Sequence, residues 1–189
     1  MLFSWLGSSA TRELSLPIIY VPGDAPTIQA GIDRARDGDL VLVAPGVYHE
    51  NIQLAGKTIT LASQYHTTQN PNFIDQTIID GSGGAVITVK SSVGPDTKII
   101  GFTIRNGDDG IATHARIHIL NNRIIKNKDG IDSTSGGGFI RGNTFEGNKD
   151  DGVDFDKASS GTIEDNLICN NKDDGIEIFG CTSLTAAPT

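Results

Sequence analysis

The chain has 189 residues and a formal net charge of −8 at pH 7. This length suits one domain with its own core. The negative charge argues against nucleic acids and anionic membrane surfaces as partners and favours cations. No apolar run approaches the roughly 18 residues of a transmembrane helix, so we expect no membrane insertion.

The first strong periodic signal is helical and follows a predicted N-terminal extension, residues 1–17. Ile28, Ile32 and Ala35 share one face of a helix predicted over Ile28–Ala35. Thr27 suits the N-cap position. An amphipathic helix at this place is expected to cover an open apolar end of the structure that follows.

Short β-branched segments bounded by Gly, Asn or Asp follow the helix and predict strands. In this half the segment from Gln64 to Gln76, with Asn70-Pro71-Asn72, is predicted to be a loop. The predicted strands are Leu40–Ala44, Lys57–Ala62, Thr77–Asp80, Ala85–Val89 and Lys98–Ile104.

The second half repeats with a period of about 22 residues. Three landmarks keep step: the glycines Gly110, Gly130, Gly152 and Gly175, and the asparagine series Asn122, Asn143, Asn166 and Asn127, Asn148, Asn171. Such a unit cannot bury its own apolar side, so successive units must stack with parallel strands about 4.8 Å apart. The pattern predicts an all-β chain, a single-stranded right-handed parallel β-helix over residues 18–180, with the helix as its N-terminal cap.

Residues 181–189 are predicted to be a C-terminal tail. The last coil has no obvious cap in the sequence, and an open edge of this kind predicts self-association or a partner chain at the C-terminal end.

A resemblance supports this fold. VPGDAPTIQAGIDRARDGDLVLVAPGVYHENIQL, Val21–Leu54, resembles the opening of pectin-lyase-like β-helix proteins, and the NxxDGI units resemble the generic repeats of that superfamily. The superfamily includes lyases, hydrolases, esterases, epimerases, phage tailspikes and proteins without known catalysis. The resemblance implies a polysaccharide partner and a location outside the cytoplasm, either extracellular, at the cell surface or periplasmic.

Stacking would align acidic residues in two columns. One column precedes each repeat glycine, and the other lies two places after it. Neighbouring carboxylates about 5 Å apart repel each other by about 0.8 kcal/mol in water. A bound cation, proton uptake or the lysines of the NKD turns could offset this repulsion, and Asp before Gly also serves as a plain turn cap. The columns are Asp109, Asp129, Asp151, Asp174 and Ala112, Asp132, Asp154, Glu177.

Ca²⁺ is the cation that clustered carboxylates favour. The predicted metal ligands are Asp129, Asp151, Asp154 and Asp174.

The catalytic candidates come from a second resemblance. NKDGID followed by DDGV is similar to the NTDGID and DD motifs of polygalacturonases, which implies Asp129, Asp150 and Asp151 as catalytic carboxylates. An inverting hydrolase would hold two carboxyl groups about 6.5–9.5 Å apart. A lyase would instead need a basic side chain, for which the chain offers Arg105, Arg116, Arg123 and Arg141.

The predicted function is a carbohydrate-active or carbohydrate-binding protein that acts on an acidic polysaccharide, with Ca²⁺ as its cofactor. As an enzyme it would be a polysaccharide lyase, a glycoside hydrolase or an epimerase. The alternative is a non-catalytic structural or adhesive module of a larger assembly. The predicted substrate-binding residues are Asp132, Asp154, Glu177, His114, Arg116 and His118.

Overall fold

A computed structural model describes residues 17–157, 160–180 and 183–186. Apart from Pro17, the predicted extension at residues 1–17 lies outside these ranges. Within them, the strands form three sheets, and every strand pairing is parallel.

The first sheet has eight strands and includes both the first and the last strand of the described chain. Its strands, in spatial order, are β1 (Ile18–Val21), β2 (Leu40–Val43), β5 (Thr60–Ser63), β8 (Lys98–Ile100), β11 (Arg116–Leu120), β14 (Gly137–Arg141), β17 (Ser160–Glu164) and β20 (Ser183–Ala186).

The other two sheets have six strands each and share the direction of the stack. The second sheet contains β3 (Gly46–Tyr48), β6 (Thr77–Asp80), β9 (Thr103–Arg105), β12 (Arg123–Ile125), β15 (Thr144–Glu146) and β18 (Leu167–Cys169). The third sheet contains β4 (Ile52–Leu54), β7 (Ile87–Val89), β10 (Asp109–Thr113), β13 (Asp129–Ser133), β16 (Val153–Asp156) and β19 (Ile176–Phe179).

Each coil crosses the three sheets in turn, and the stack has about seven turns. This architecture confirms the predicted parallel β-helix. Apolar side chains form ladders inside the stack. Ile131 pairs with Val153, and Val153 pairs with Ile176. Ile124 pairs with Phe145 in the second sheet, and both side chains are fully buried. The core therefore lies inside the coils, and the polar partners of each strand face outward.

The cap helix α1 spans Ile28–Arg34. The Thr27 side chain accepts a hydrogen bond from the Ala30 N–H at 3.1 Å, which confirms the predicted N-cap. The Glu50 carboxylate accepts hydrogen bonds from two more free amides of the first turn, those of Ile28 and Gln29. The helix contacts β1, β2 and β4 and buries Ile28 and Ile32 against the N-terminal end of the stack. Glu50, in the GVYHE motif, therefore serves to hold the cap helix in place.

Two sequence predictions for the middle of the chain were wrong. The loop predicted from Gln64 to Gln76 contains two short helices, α2 (Tyr65–Thr68) and α3 (Asn72–Gln76). The strand predicted over Lys98–Ile104 is broken into β8 and β9, because Gly101 adopts φ +79° at the turn between two sheets. None of the helices in the described ranges is long and apolar enough to cross a membrane.

Two asparagine ladders hold successive coils in register. The Asn122 N–H donates to Asn143 Oδ1 at 2.9 Å, and the Asn143 N–H donates to Asn166 Oδ1 at 2.8 Å. The second ladder repeats this geometry from Asn127 to Asn148 at 3.1 Å. The buried N–H groups of these turns thus donate to asparagine side chains of the next coil. Without those side chains the N–H groups would lack acceptors.

The C-terminal coil is less well covered than the others. Leu167, Ile178 and Phe179 are exposed, and Phe179 shows 69% of its surface to solvent. Strand β20 lies within the segment predicted as a tail and pairs with β17. Among the described residues, the last coil thus exposes apolar side chains and the edges of β18, β19 and β20.

Candidate functional site

The acidic column predicted two places after the repeat glycines lies along the third sheet. The register places Ala112 beside Asp132, Asp132 beside Asp154, and Asp154 beside Glu177. Asp132 and Asp154 are half-buried, and Glu177 is exposed. Because side chains alternate along a strand, the whole column lies on the face opposite the buried ladder from Ile111 to Ile176. Like charges therefore adjoin along three consecutive coils.

The column that precedes the glycines lies deeper and contributes hydrogen bonds to the stack. Asp129 Oδ1 accepts from the Asp151 N–H at 3.0 Å, and Asp151 Oδ1 accepts from the Asp174 N–H at 2.8 Å. Asp129 and Asp151 are only 5% and 6% exposed. One oxygen of each carboxylate thus caps a turn amide of the next coil, which is the structural role open to Asp before Gly.

Members of the two columns and the adjacent Asp150 form two clusters that share Asp151. In the first, called the Lys128 cluster, carboxylate oxygens of Asp129, Asp150 and Asp151 all lie within 4.8 Å of one another. Lys128 Nζ lies 2.7 Å from Asp129 Oδ2 and 3.2 Å from Asp150 Oδ2. These carboxylates raise the pKa of Lys128 above its usual range. The chain therefore supplies its own cation to this cluster.

The second, called the Asp154 cluster, consists of Asp151, Asp154 and Glu177, with oxygens again within 4.8 Å of one another. Among the described residues, no lysine, arginine or histidine forms an ion pair with these three side chains. Asp154 Oδ1 is buried and has no hydrogen-bond partner there. A buried carboxylate oxygen without a donor is costly, so this cluster requires a proton or a cation.

Burial and crowded negative charge raise the pKa values in this cluster. Burial, and then the charges of Asp156, Glu177 and Asp132, raise the pKa of Asp154 to about 7. The charge of Asp151 is the main cause that raises the pKa of Glu177, and a hydrogen bond between the two carboxyl groups adds to it.

Acid crowding extends to the coil below. Burial, followed by the charges of Asp132 and Asp129, raises the pKa of Asp109 to about 6. Burial also raises the pKa of Asp151, although a backbone hydrogen bond from Asp174 opposes it. Carboxyl groups on the acidic face of the third sheet therefore bind protons at pH values well above the usual pKa range of carboxylates.

The structure regroups the predicted metal ligands. Asp151 and Asp154 come together, but the third member of their cluster is Glu177, which the sequence placed among the substrate-binding residues. Asp174 is exposed and is not part of either cluster, and Asp129 belongs with Lys128. Lys128 balances charge as the sequence indicated. Lys149 and Lys172, at the equivalent positions, form no ion pair within the described ranges.

The predicted catalytic set, Asp129, Asp150 and Asp151, meets in the Lys128 cluster. Its oxygens lie within 4.8 Å of one another, which is closer than the 6.5–9.5 Å that leaves room for the water of an inverting hydrolase. Lys128 also binds two of the three groups. A direct role of this trio in hydrolysis stays a prediction, and the geometry is better suited to holding the turn.

The predicted residues His114, Arg116 and His118 do not lie on one strand. His114 is in the turn after β10, and the other two are on β11 in the first sheet. Arg116 and His118 line a pocket of about 260 Å³ whose lining does not include His114. Its remaining lining residues are Pro95, Asp96, Ile117, Gly138, Phe139 and Thr162.

Sequence reasoning missed Phe139 and Thr162 in this pocket. The signal was available, because Phe139 follows His118 by one repeat and Thr162 follows Phe139 by another, so the three lie side by side on the stack. The rings of His118 and Phe139 meet edge to face, with centroids 5.9 Å apart.

A family model described as the right handed beta helix region matches residues 59–187, more than half of the chain. The chain belongs to this family. No curated protein and no solved structure gave a significant match to the sequence. Family membership establishes the fold of this right-handed β-helix. The fold serves many unrelated functions, so its activity must be argued from the site.

Proposed function

We propose that this right-handed β-helix is a carbohydrate-active or carbohydrate-binding protein that acts on an acidic polysaccharide with the help of Ca²⁺. One observation carries the proposal. Asp151, Asp154 and Glu177 bring their oxygens within 4.8 Å of one another, with no positively charged partner among the described residues. The neighbouring Lys128 cluster has the same spacing, and the Lys128 ammonium group balances its charge. The Asp154 cluster lacks such a group, so it is the better candidate for a bound metal ion.

The donor set suits Ca²⁺ by its chemistry. Ca²⁺ binds six to eight oxygens in flexible geometry and accepts carboxylates as one- or two-oxygen ligands. Three carboxylates fill only part of that coordination, so water and outside oxygens would complete it. The carboxylates of a uronate polymer are such outside oxygens. Without the cation, the acidic face would repel the same polymer.

The site also has a group suited to proton transfer. The pKa of Asp154 is raised to about 7, foremost by burial. A general acid or base works best when its pKa lies near the working pH. When no ion is bound to Asp154, such a group is suited to the proton transfers of a lyase, a hydrolase or an epimerase. We also propose a setting outside the cytoplasm, where polysaccharides occur.

Calorimetric titration with CaCl₂ tests the proposal, followed by titration with oligogalacturonate, alginate and a sulfated glycosaminoglycan, each in Ca²⁺ or in EDTA. We expect Ca²⁺ to bind, and at least one polymer to bind at least tenfold more tightly in Ca²⁺ than in EDTA. The variants Asp154→Asn and Glu177→Gln should lose both effects. Asp165→Asn, which removes a carboxylate that pairs with Arg141 outside the cluster, should keep both.

Turnover is measured in the same samples, as new reducing ends, as absorbance of unsaturated products, or as epimerised sugars by NMR. Absence of Ca²⁺ binding to the parent protein would contradict the role of the cation. Absence of polymer binding and turnover in both buffers would contradict the proposal that the ligand is an acidic polysaccharide.

The exposed C-terminal coil favours a second candidate, a structural module whose end is covered by another chain. Ile178 and Phe179 are more than half exposed there. Around them, residues 171–177 contain three acidic residues and one lysine. Two such ends would repel each other, so the fitting partner is a chain with an apolar surface rimmed by basic residues.

Sedimentation velocity tests this second candidate over a hundredfold range of protein concentration, at low and high salt. A monomer under all conditions agrees with a partner of different sequence. Dimers that form at low salt would show instead that a second copy covers the end. The matched variant Phe179→Ser should then dissociate them.

A further inference from the structure

The first sheet carries a pocket that lies across the coils from the turns with the acidic clusters. The side chains that line this pocket differ in chemistry from those of the two clusters. Arg116, His118, Phe139 and Thr162 line it on three successive strands, with Asp96 at its rim. Its volume is about 260 Å³. Pockets for drug-sized ligands are larger, at about 300–1,000 Å³. One sugar ring is a group of suitable size.

Arg116 is the distinctive residue of this pocket. The other three arginines considered as a lyase base are paired: Arg105 with Asp80, Arg123 with Glu146, and Arg141 with Asp165. Arg116 is exposed and forms no ion pair within the described part of the chain. An unpaired guanidinium can bind a carboxylate or a sulfate with two parallel hydrogen bonds.

The residues around Arg116 match the remaining surface of a sugar. Phe139 is half-buried and meets His118 edge to face, so its ring is held in place and can pack against the C–H groups of a pyranose. Gly138 contributes only backbone to the floor of the pocket.

The polar side chains complete the match. The His118 imidazole can donate and accept one hydrogen bond each, and the Thr162 hydroxyl can do both. The Asp96 carboxylate accepts from hydroxyl groups. A ligand that has hydroxyls and one anionic group on a single ring satisfies all of these side chains at once.

We infer that this pocket binds a single sugar unit bearing an anionic group, either a uronate or a sulfated sugar, without a metal ion. The inference extends the proposed function to a second face and rests on different residues. An acidic peptide shares the anionic group but has no hydroxyls for Asp96, so the sugar is the better fit.

The test uses the whole chain, ¹⁵N-labelled, in EDTA. Galacturonate, glucosamine 6-sulfate, galactose and a short glutamate peptide are each titrated to tens of millimolar while amide shifts are recorded. We expect galacturonate or the sulfated sugar to move the signals of residues 96, 116–118, 138–139 and 162, and galactose to bind at least fivefold more weakly. Arg116→Ala should weaken binding at least tenfold, and Phe139→Leu, which keeps most of the volume, should weaken it severalfold.

Arg123→Ala is the matched control, since it removes a paired arginine from the second sheet, and should leave binding unchanged. Asp154→Asn should also leave it unchanged, which separates this pocket from the cation site. The inference is overturned if neither anionic sugar binds, if Arg116→Ala binds as the parent does, or if the glutamate peptide binds at least as tightly as the sugars.

Discussion

The Lys128 cluster and the Asp154 cluster come from the same repeat, share Asp151 and have the same spacing, yet only one contains a cation. Lys128 lies 2.7 Å from Asp129 and 3.2 Å from Asp150, which is on the next coil. Lys149 occupies the same place one repeat later and forms no such pair among the residues that the structure describes. An aspartate on the next coil is available to both lysines, Asp150 for Lys128 and Asp173 for Lys149, so the difference lies in where the lysine side chains end.

The difference shows how a solenoid can turn one motif into two kinds of site. Where the repeat supplies both signs, the charges cancel within the stack and the carboxylates serve the turns. Where the second column adds Asp154 and Glu177, on coils whose lysines form no ion pair among the described residues, the added carboxylates are left unbalanced. The surplus charge must then be met from solution, by protons or by a metal ion.

The largest expected effect is the loss of the internal cation. Lys128→Met leaves the buried Asp129 carboxylate without its ion pair, so we expect the free energy of unfolding to fall by about 2 kcal/mol at pH 8. Breaking a buried pair costs about 3–5 kcal/mol, and the partly exposed lysine calls for a lower figure. Urea unfolding measures the change. Lys149→Met is the control, and an equal loss there would remove the distinction between the two clusters.

The next effect is a pH dependence that belongs to the Asp154 cluster. The pKa of Asp154 is about 7 in the folded protein, against an ordinary value of 3.8. Between these two values the folded state holds a proton that the unfolded state has released, so the contribution of Asp154 to stability is greatest below about pH 4 and is lost as the pH rises to about 7.

This dependence can be measured by urea unfolding in EDTA at several pH values. We expect Asp154 to account for a fall of about 1–2 kcal/mol, a figure reduced for its partial exposure. Asp154→Asn should remove that part of the slope, whereas Asp75→Asn, on α3, should preserve it. A parent protein whose stability rises steadily from pH 4 to pH 7 would contradict the raised pKa.

A smaller effect is expected from Ca²⁺. An ion that binds only the folded stack stabilises it by about 1.4 kcal/mol at ten times its Kd, or about 3–6 °C in Tm. Differential scanning calorimetry at pH 8 measures the shift. Glu177→Gln should abolish it and Lys128→Met should retain it. If Ca²⁺ stabilises only the Lys128→Met variant, the ion replaces the lysine, and the Asp154 cluster is not the metal site.

The smallest expected effect comes from extending the acidic column by one coil. Ala112 lies beside Asp132 in the register. Ala112→Asp adds a like charge about 5 Å away, so we expect a loss of stability of about 0.8 kcal/mol in EDTA at pH 8. High salt should reduce the loss, and Ala112→Asn should show none of it. An equal loss in both variants would point to packing as the cause.

The stack itself was predictable from the sequence. Gly130 and Gly152 lie on adjacent coils, and the asparagine series form the expected ladders. A period of about 22 residues that preserves the order of three landmarks leaves parallel stacking as the way to bury its apolar side. The cap helix was also predictable from local sequence. Thr27 marks its start, and the spacing of Ile28 and Ile32 marks its buried face.

The features that the sequence left open depend on side-chain directions between coils. α2 and α3 form within a segment whose proline and asparagines favour a turn, and Ile74 of α3 accepts a hydrogen bond from Thr103 on the second sheet. Contacts with the stack thus complete what local propensity alone did not predict. The pocket beside Arg116 likewise needs three strands to exist.

By itself the sequence determined which residues share a column, because the repeat sets the register and each column follows from counting. Only the tertiary structure decided which charged groups meet: Asp151 with Glu177, and Lys128 with Asp150. The physical reason is that a register specifies backbone neighbours at about 4.8 Å, whereas charge pairing depends on where flexible side chains end.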